Sequence, residues 1–328
     1  MDKLRIAVLG CGSVGSRHLK NLKSLGYDDV LVFDDGPEIA SRVSIELNVV
    51  SVPSLDDVWK WKPNVVMVSA PTNAHLDSAL AAAKNNCCLF IEKPLSHTLK
   101  RVESLCEEVK RRELVTMVGC NMRFHPGPVL VKKLLEEQAV GKVISARVQS
   151  GSFLPHWRPL QDYRQSYSAS REWGGTILDC IHEIDLTLWY LGPAKIIAAA
   201  HRPAHTIQLE TDGLAEILLQ HDSGPLSSVH LNFVQRDYRR ACQIIGSEGT
   251  IYWDFSDRCV RVYGADGAVK QSYPEPAGWD VNQMYVDEMK HFLKAVLTGS
   301  PAMNPVSEAA ATLEVALSAR RMGGTKEA

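Results

Sequence analysis

Three glycines spaced G-x-G-x-x-G, in Gly10-Cys11-Gly12-Ser13-Val14-Gly15, form a phosphate cradle when a strand precedes them and a helix follows. Gly10 permits the tight turn, Gly12 lets the backbone approach a pyrophosphate, and Gly15 allows close helix–strand packing. The open N–H groups around Cys11, Ser13 and Val14, at the helix start, then receive the phosphates. About 20 residues beyond Gly15 stands Asp34, at the end of an apolar run. A carboxylate there accepts from the ribose hydroxyls of an adenosine and repels a 2′-phosphate. Asp35 adds a second negative charge, and no Lys or Arg follows before Arg42, so NAD is favoured over NADP. Either aspartate could instead N-cap the helix beginning near Pro37, with Asp35 the better placed.

A second cluster lies between Phe153 and Trp173, where Trp157, Tyr163, Tyr167 and Trp173 are interleaved with Arg158, Arg164 and Arg171 without a helical or alternating period. Aromatic faces stack on sugar rings, and guanidinium forks grip carboxylates or phosphates. The segment thus points to a carbohydrate, and the arginines to an anionic one such as a sugar acid or nucleotide sugar. The alternative is that the arginines pair with Asp162, Glu172 and other acids while the aromatics fill a domain junction.

The elements that must hold these residues follow from the pattern of apolar runs. At 328 residues the chain exceeds the roughly 250–300 that one core serves, so two domains are expected. Apolar strands at 4–9, 30–33, 65–69, 88–91 and 115–118 alternate with helical stretches at 14–25, 37–47, 74–85 and 97–113, which implies an α/β domain with a parallel sheet covered on both faces, over residues 1–122. After a helix at 126–138 the grammar changes. Strands at 142–149, 213–220, 226–234, 240–247 and 250–254, joined by short turns, predict an α+β domain over 123–328 with an open, mostly antiparallel sheet. A helix at 175–190 interrupts them. Two more helices end the chain at 283–297 and 306–322, the last a candidate to pack back on the first domain.

A net charge of −2 gives no general attraction to nucleic acid or anionic membranes, and no window reads as a signal peptide or membrane span. The eight cysteines lack C-x-x-C pairs, which suits a reducing, cytoplasmic compartment. Asp179, His182, Glu183 and Asp185 could bind a metal by type, but no second histidine lies at i+4, and no metal site is expected.

Further segments carry a family likeness: Ala70-Pro71-Thr72-Asn73-Ala74-His75, Ile91-Glu92-Lys93-Pro94, Val118 to Phe124, Gly174 to Asp185 and Ile245 to Ile251. With the glycine turn, and in that order along nearly the whole chain, they resemble the Gfo/Idh/MocA family of NAD(P)-dependent sugar and cyclitol dehydrogenases. The resemblance implies a Rossmann domain followed by an α+β domain, with the nicotinamide at their junction and the open sheet used for a homodimer or homotetramer. It implies that Lys93 lies beside the nicotinamide and the reacting hydroxyl, and that Ala70, Thr72, His75 and Glu92 border the cofactor. By the same resemblance, Asp179 and His182 supply the other catalytic groups. The family's commoner D-x-G-x-H form is altered here to Asp179-Cys180-Ile181-His182, which on one helix still leaves both side chains on one face.

Oxidation of a secondary alcohol needs a group that takes the hydroxyl proton as the hydride leaves for the cofactor. His182, with an ordinary pKa near 6.5, is the expected base, with Lys93 as polarising partner. Asp179 orients His182 or binds a neighbouring hydroxyl. Arg123 either donates to substrate or braces the domain junction. The expectation is an NAD-dependent oxidoreductase acting on the CH–OH of a sugar, sugar acid, cyclitol or nucleotide sugar. The alternatives are an NAD-using glycosidase with transient C3 oxidation, and a sugar sensor that binds NAD without catalysis.

Overall fold

The computed structural model describes residues 4–157 and 159–324. Contact grouping divides the chain into two units, the first of residues 1–121 with 281–313 and the second of residues 122–280 with 314–328.

The first unit alternates strand and helix: β1 Ile6–Leu9, α1 Ser13–Ser24, β2 Val30–Phe33, α2 Pro37–Leu47, β3 Val50–Ser51, α3 Leu55–Lys60, β4 Val65–Val68, α4 Thr72–Lys84, β5 Cys88–Glu92, α5 Val102–Arg111 and β6 Thr116–Gly119. The sheet order is β3-β2-β1-β4-β5-β6, and every pairing is parallel. Its central strands are continuous apolar runs because both faces are covered: Val65, Val66, Met67 and Val68 are all 0% exposed. Each such side chain contributes about 1.5–3 kcal/mol by leaving water. The order reverses between β1 and β4, the switch point outside whose carboxyl ends doubly wound sheets bind ligands.

The second unit contains α6 Pro126–Glu136, β7 Val143–Phe153, α7 Thr176–Asp179, α8 Ile181–Leu191, β8 Ala194–Pro203, β9 Asp212–His221, β10 Leu226–Asn232, β11 Val234–Gly246, β12 Gly249–Asp254, β13 Cys259–Gly264 and β14 Val269–Pro274. Its eight strands run in the order β14-β13-β12-β11-β7-β10-β9-β8, with only the β7–β10 pair parallel. Ala146, Val148, Ala215, Ile217, Val229 and Leu231 face α7 and α8 and are at most 3% exposed. The opposite face alternates polar and apolar groups, with Leu218 at 37% and Leu226 at 42% exposed.

The chain ends in α9 Asn282–Thr298 and α10 Val306–Gly323. α9 groups with the first unit, where the Asn21 and Asn282 amides pair at 2.9 Å, and the unit boundary falls inside α10. Strands β3, β8, β13 and β14 escaped the sequence pattern. β8 and β14 are edge strands with few buried side chains, so no apolar alternation marks them.

One expected helix is two. The stretch at 175–190 breaks at Cys180, whose ψ of 34° leaves the helical range, so Asp179 ends α7 and His182 stands in the first turn of α8. The argument that Asp179 and His182 share one helical face therefore does not hold.

Candidate active site

The glycine turn leaves β1 at the switch point. Gly10 has a φ of +91°, and a Cβ there would lie 2.5 Å from the Ala70 nitrogen; a Cβ at Gly15 would lie 2.0 Å from the Gly10 oxygen. The protein's own packing thus demands glycine at both positions. Gly12 differs, since a Cβ there would meet nothing within 4 Å. The protein's own packing therefore does not require glycine there, and the backbone at Gly12 stays open to close approach. Gly12 and Ser13 are exposed, Val14 is half-buried, and α1 begins with no side-chain cap and no acid in its first turn. Its N–H groups are left for an anion. Cys11 is buried, and burial with the charge of Asp34 pushes its thiol up to about 12, so it is an inert small hydrophobe.

Asp34 is half-buried and braces this turn, accepting from the Cys11 N–H at 2.7 Å and the Gly36 N–H at 2.8 Å. Asp35 is exposed. The alternative that Asp35 caps α2 is corrected: the cap residue is Gly36, without a side-chain cap, because proline at the helix start removes one N–H that would need an acceptor.

Across the switch point, Ala70 follows β4 and Thr72 opens α4, where Thr72 is buried. His75 is buried beneath them, with Nδ1 2.8 Å from the Pro94 oxygen and Nε2 2.7 Å from the Ala70 oxygen. It ties the chain after β4 to the chain after β5. Burial lowers its pKa against the pull of those two carbonyls. Glu92 ends β5, buried, with Oε1 2.6 Å from His18 Nε2 and Oε2 accepting from the Lys93 N–H at 3.2 Å. Burial pushes its carboxyl up, but the His18 hydrogen bond and the nearby Lys93 charge outweigh this and hold it below the usual range. Lys93 is half-exposed at the carboxyl end of the sheet.

In the second unit Asp179 is 4% exposed and both its oxygens accept hydroxyl protons, one from Tyr167 and the other from Ser168 at 2.7 Å. Asp212 caps the start of α7 through the Ile177 N–H at 2.9 Å, and Arg320 of α10 holds Asp212 at 3.1 Å while donating to the Arg171 carbonyl at 2.9 Å. The aromatic loop, α7 and the end of α10 are thereby one bonded assembly. His182 is 6% exposed in the first turn of α8. The adjacent Glu183 is fully buried against Arg240 Nε at 2.7 Å.

The substrate candidates separate. Arg123 is 2% exposed and meets Asp185 through two hydrogen bonds of 2.8 Å each, so it braces the fold and leaves the substrate set. Arg164 pairs with Asp162 at 2.9 Å and also bonds Gln208, and Arg171 pairs with Glu210 at 2.7 Å. Both guanidinium groups are thus engaged by acids of this chain, as the alternative reading had it. Trp157 donates to Ser152 at 2.9 Å and packs edge-on to Phe233, and the Tyr163 hydroxyl bonds the Ile207 carbonyl at 3.0 Å. Trp157, Tyr163, Tyr167 and Ser168 line one small cavity with Leu154 and Gln161. Arg158 lies outside the described residues. Among those residues no group of His, Cys, Asp or Glu side chains could hold a metal ion.

His18, Ser168 and Asp212 were missed from the sequence. The one signal for His18 was its place on the stripe Gly15, His18, Leu19, Leu22, all buried on α1, where a polar group needs a partner.

Comparison with known proteins shows the family. Residues 4–120 match the family model described as oxidoreductase family, NAD-binding Rossmann fold, and residues 129–252 match the GFO/IDH/MocA C-terminal domain. A myo-inositol 2-dehydrogenase of Thermotoga maritima is 27% identical, covering 91% of this chain and 90% of its own. A scyllo-inositol 2-dehydrogenase (NAD(+)) of Bacillus subtilis is 26% identical, covering 97% and 93%. The fold is shared with a solved levoglucosan dehydrogenase in complex with NADH and L-sorbose, at a TM-score of 0.88 and 19% identity over 98% of this chain and 97% of that one. With the cradle at the switch point and both family models matched in sequence order, the chain belongs to the Gfo/Idh/MocA family of NAD-binding oxidoreductases.

Proposed function

We propose that this protein is an NAD-dependent dehydrogenase that oxidises a secondary hydroxyl of a cyclitol or sugar. The observation that carries the reading is Lys93 at the carboxyl end of β5, next to the switch-point strand β4, with its backbone fixed by a buried carboxylate. A chain that only bound a dinucleotide would have no use for a cation held there. NAD, when bound, supplies the acceptor for the carbinol hydrogen. The residues supply the rest. His182 removes the hydroxyl proton as general base, and Lys93 donates to the same oxygen and stabilises its developing negative charge. Asp179, gripped by Tyr167 and Ser168, is a fixed carboxylate that sets the local field and presents the Tyr167 oxygen as an acceptor. Trp157, Tyr163 and Tyr167 offer stacking faces to the ring.

The pairing of Arg164 and Arg171 with acids of the chain, together with the names of the relatives, favours a neutral polyol over a sugar acid. The exposed apolar residues on the open sheet face, Leu218 and Leu226, support a homodimer or homotetramer through that face. That the eight cysteines form no disulfide among the described residues supports a reducing, cytoplasmic setting. No helix among the described residues is long and apolar enough to cross a membrane.

The test is NADH formation with purified protein, NAD and a panel of myo-inositol, scyllo-inositol, levoglucosan, free hexoses, sugar acids and nucleotide sugars. Turnover of a neutral cyclitol or sugar is the expected result. Cleavage of a glycoside without NADH would favour the glycosidase, and NAD binding without turnover of any sugar would favour the sensor.

A further inference from the structure

His18 sits on the inner face of α1, one turn from the glycine cradle, and is 0% exposed. Its Nε2 lies 2.6 Å from Glu92 Oε1, while its Nδ1 is buried without a hydrogen-bond partner among the described residues. The ring stands edge-on to Phe90 at 5.1 Å and to Tyr285 of α9 at 6.2 Å. These contacts select one protonation state. An imidazolium, or the tautomer with its proton on Nδ1, would bury an N–H with no acceptor, and the latter would also turn a lone pair toward the carboxylate. The neutral ring with its proton on Nε2 makes the Glu92 hydrogen bond and leaves only a bare lone pair at Nδ1. Lys93 and His75 also face Glu92, and Arg17 stacks on Tyr285 at 4.4 Å.

We propose that His18 is a positioning residue for Lys93. As a neutral donor it fixes the Glu92 carboxylate, whose second oxygen holds the Lys93 N–H. It thereby ties the helix that opens at the dinucleotide cradle to the strand end that carries the lysine. The inference rests on the reading of Lys93 as the group at the reacting oxygen. His18 itself touches neither substrate nor cofactor. Its effect is on where Lys93 stands, and a displacement of about 1 Å at such a group can cost about 10²-fold in rate.

Two measurements on the full chain decide it. Proton–nitrogen correlation spectra of protein carrying isotope-labelled histidine, with His18→Gln assigning the signals, read the state of the ring directly. The expected result, at the pH of the NADH assay, is a single ring proton on Nε2; a proton on Nδ1, alone or together with one on Nε2, overturns the proposal. This reading needs no substrate, so its failure is distinct from a failure of the dehydrogenase assignment, which appears as an absence of turnover in the parent protein. In the NADH assay, His18→Phe fills the space without a donor and should lower kcat about 10²-fold while KM and the Kd for NAD stay within about threefold. His18→Gln, whose amide reaches the same oxygen as a donor, should restore kcat to within about threefold of the parent. An unchanged kcat in His18→Phe, or equal losses in both variants, overturns the proposal. A His18→Phe protein that does not fold leaves the ring spectra and the His18→Gln rate to decide.

Discussion

Replacing Asp34 by alanine tests the cofactor cradle and its preference together. The substitution removes a carboxylate that accepts from the N–H groups of Cys11 and Gly36 at 2.7 and 2.8 Å. Hydrogen bonds to a charged group contribute about 1.5–3 kcal/mol, and half exposure places these at the low end, so the turn loses roughly 2–3 kcal/mol. The same oxygens are those a ribose diol would meet. Losing that acceptor should weaken NAD by about 2 kcal/mol, or about 30-fold in Kd. A loosened turn weakens NAD and NADP alike, whereas removal of the negative charge favours only the 2′-phosphate. The ratio of the two dissociation constants therefore isolates the electrostatic part. Titration of NAD and NADP by calorimetry should show the NAD preference falling by about an order of magnitude or more in Asp34→Ala. An unchanged ratio with equal weakening of both would mean that Asp34 only braces the turn. A Kd for NAD within about twofold of the parent would refute the placement of the ribose altogether.

Other expected outcomes follow from the second unit. Tyr167→Phe removes one donor to the Asp179 carboxylate and should lower kcat by about 10-fold to 10²-fold without unfolding; parental kcat would show that Asp179 needs no such grip. Asp185→Ala takes the two-pronged carboxylate away from the buried Arg123 guanidinium and should cost about 3–5 kcal/mol in urea unfolding, whereas an Arg123→Met, Asp185→Leu double variant should cost far less; equal costs would contradict the buried pair. Burial, with the charges of Arg240 and Arg258, lowers the His125 pKa to about 3, and its Nδ1 accepts from the Gly127 N–H, so a proton there would set two donors against each other. Its unfolded pKa is about 6.5, so the unfolded chain binds the proton first. Stability is thus fully present above about pH 6.5 and falls by up to about 1.4 kcal/mol per unit as pH drops toward the folded value. His125→Asn keeps a cap acceptor that does not titrate, and should flatten that slope; an equal slope in both proteins would contradict the assignment.

How far the site was legible in the sequence depended on whether its partners were local. The glycine turn and Asp34 could be read because a tight turn, a helix start and the next strand end fix them at short range. Gly10 and Gly15 are required by close contacts within the turn and to Ala70, and Gly12 by none within the chain. His18 gave only a polar group on an apolar stripe, since its partner Glu92 is 74 positions away. Arg123 read equally as a substrate donor or a brace until Asp185, 62 positions on, took both arms of its fork. The arginines of the aromatic loop suggested an anion because Glu210, the partner of Arg171, lies on a separate stretch of chain. The break at Cys180 was invisible for another reason. Helical periodicity continues through it, while Asp212 and the hydroxyls of Tyr167 and Ser168 fix α7 from outside the helix.

The central claim is that Lys93 and His182 act on one hydroxyl in a single chemical step. It is tested most directly by NADH formation from the preferred polyol in Lys93→Ala, His182→Ala and the double variant, with the Kd for NAD measured in each. Each single variant should lose about 10²- to 10⁴-fold in kcat with NAD affinity within about threefold of the parent, and the double variant should lose little more than the worse single one. Near-parental kcat in either single variant, or losses that multiply in the double variant, would contradict it.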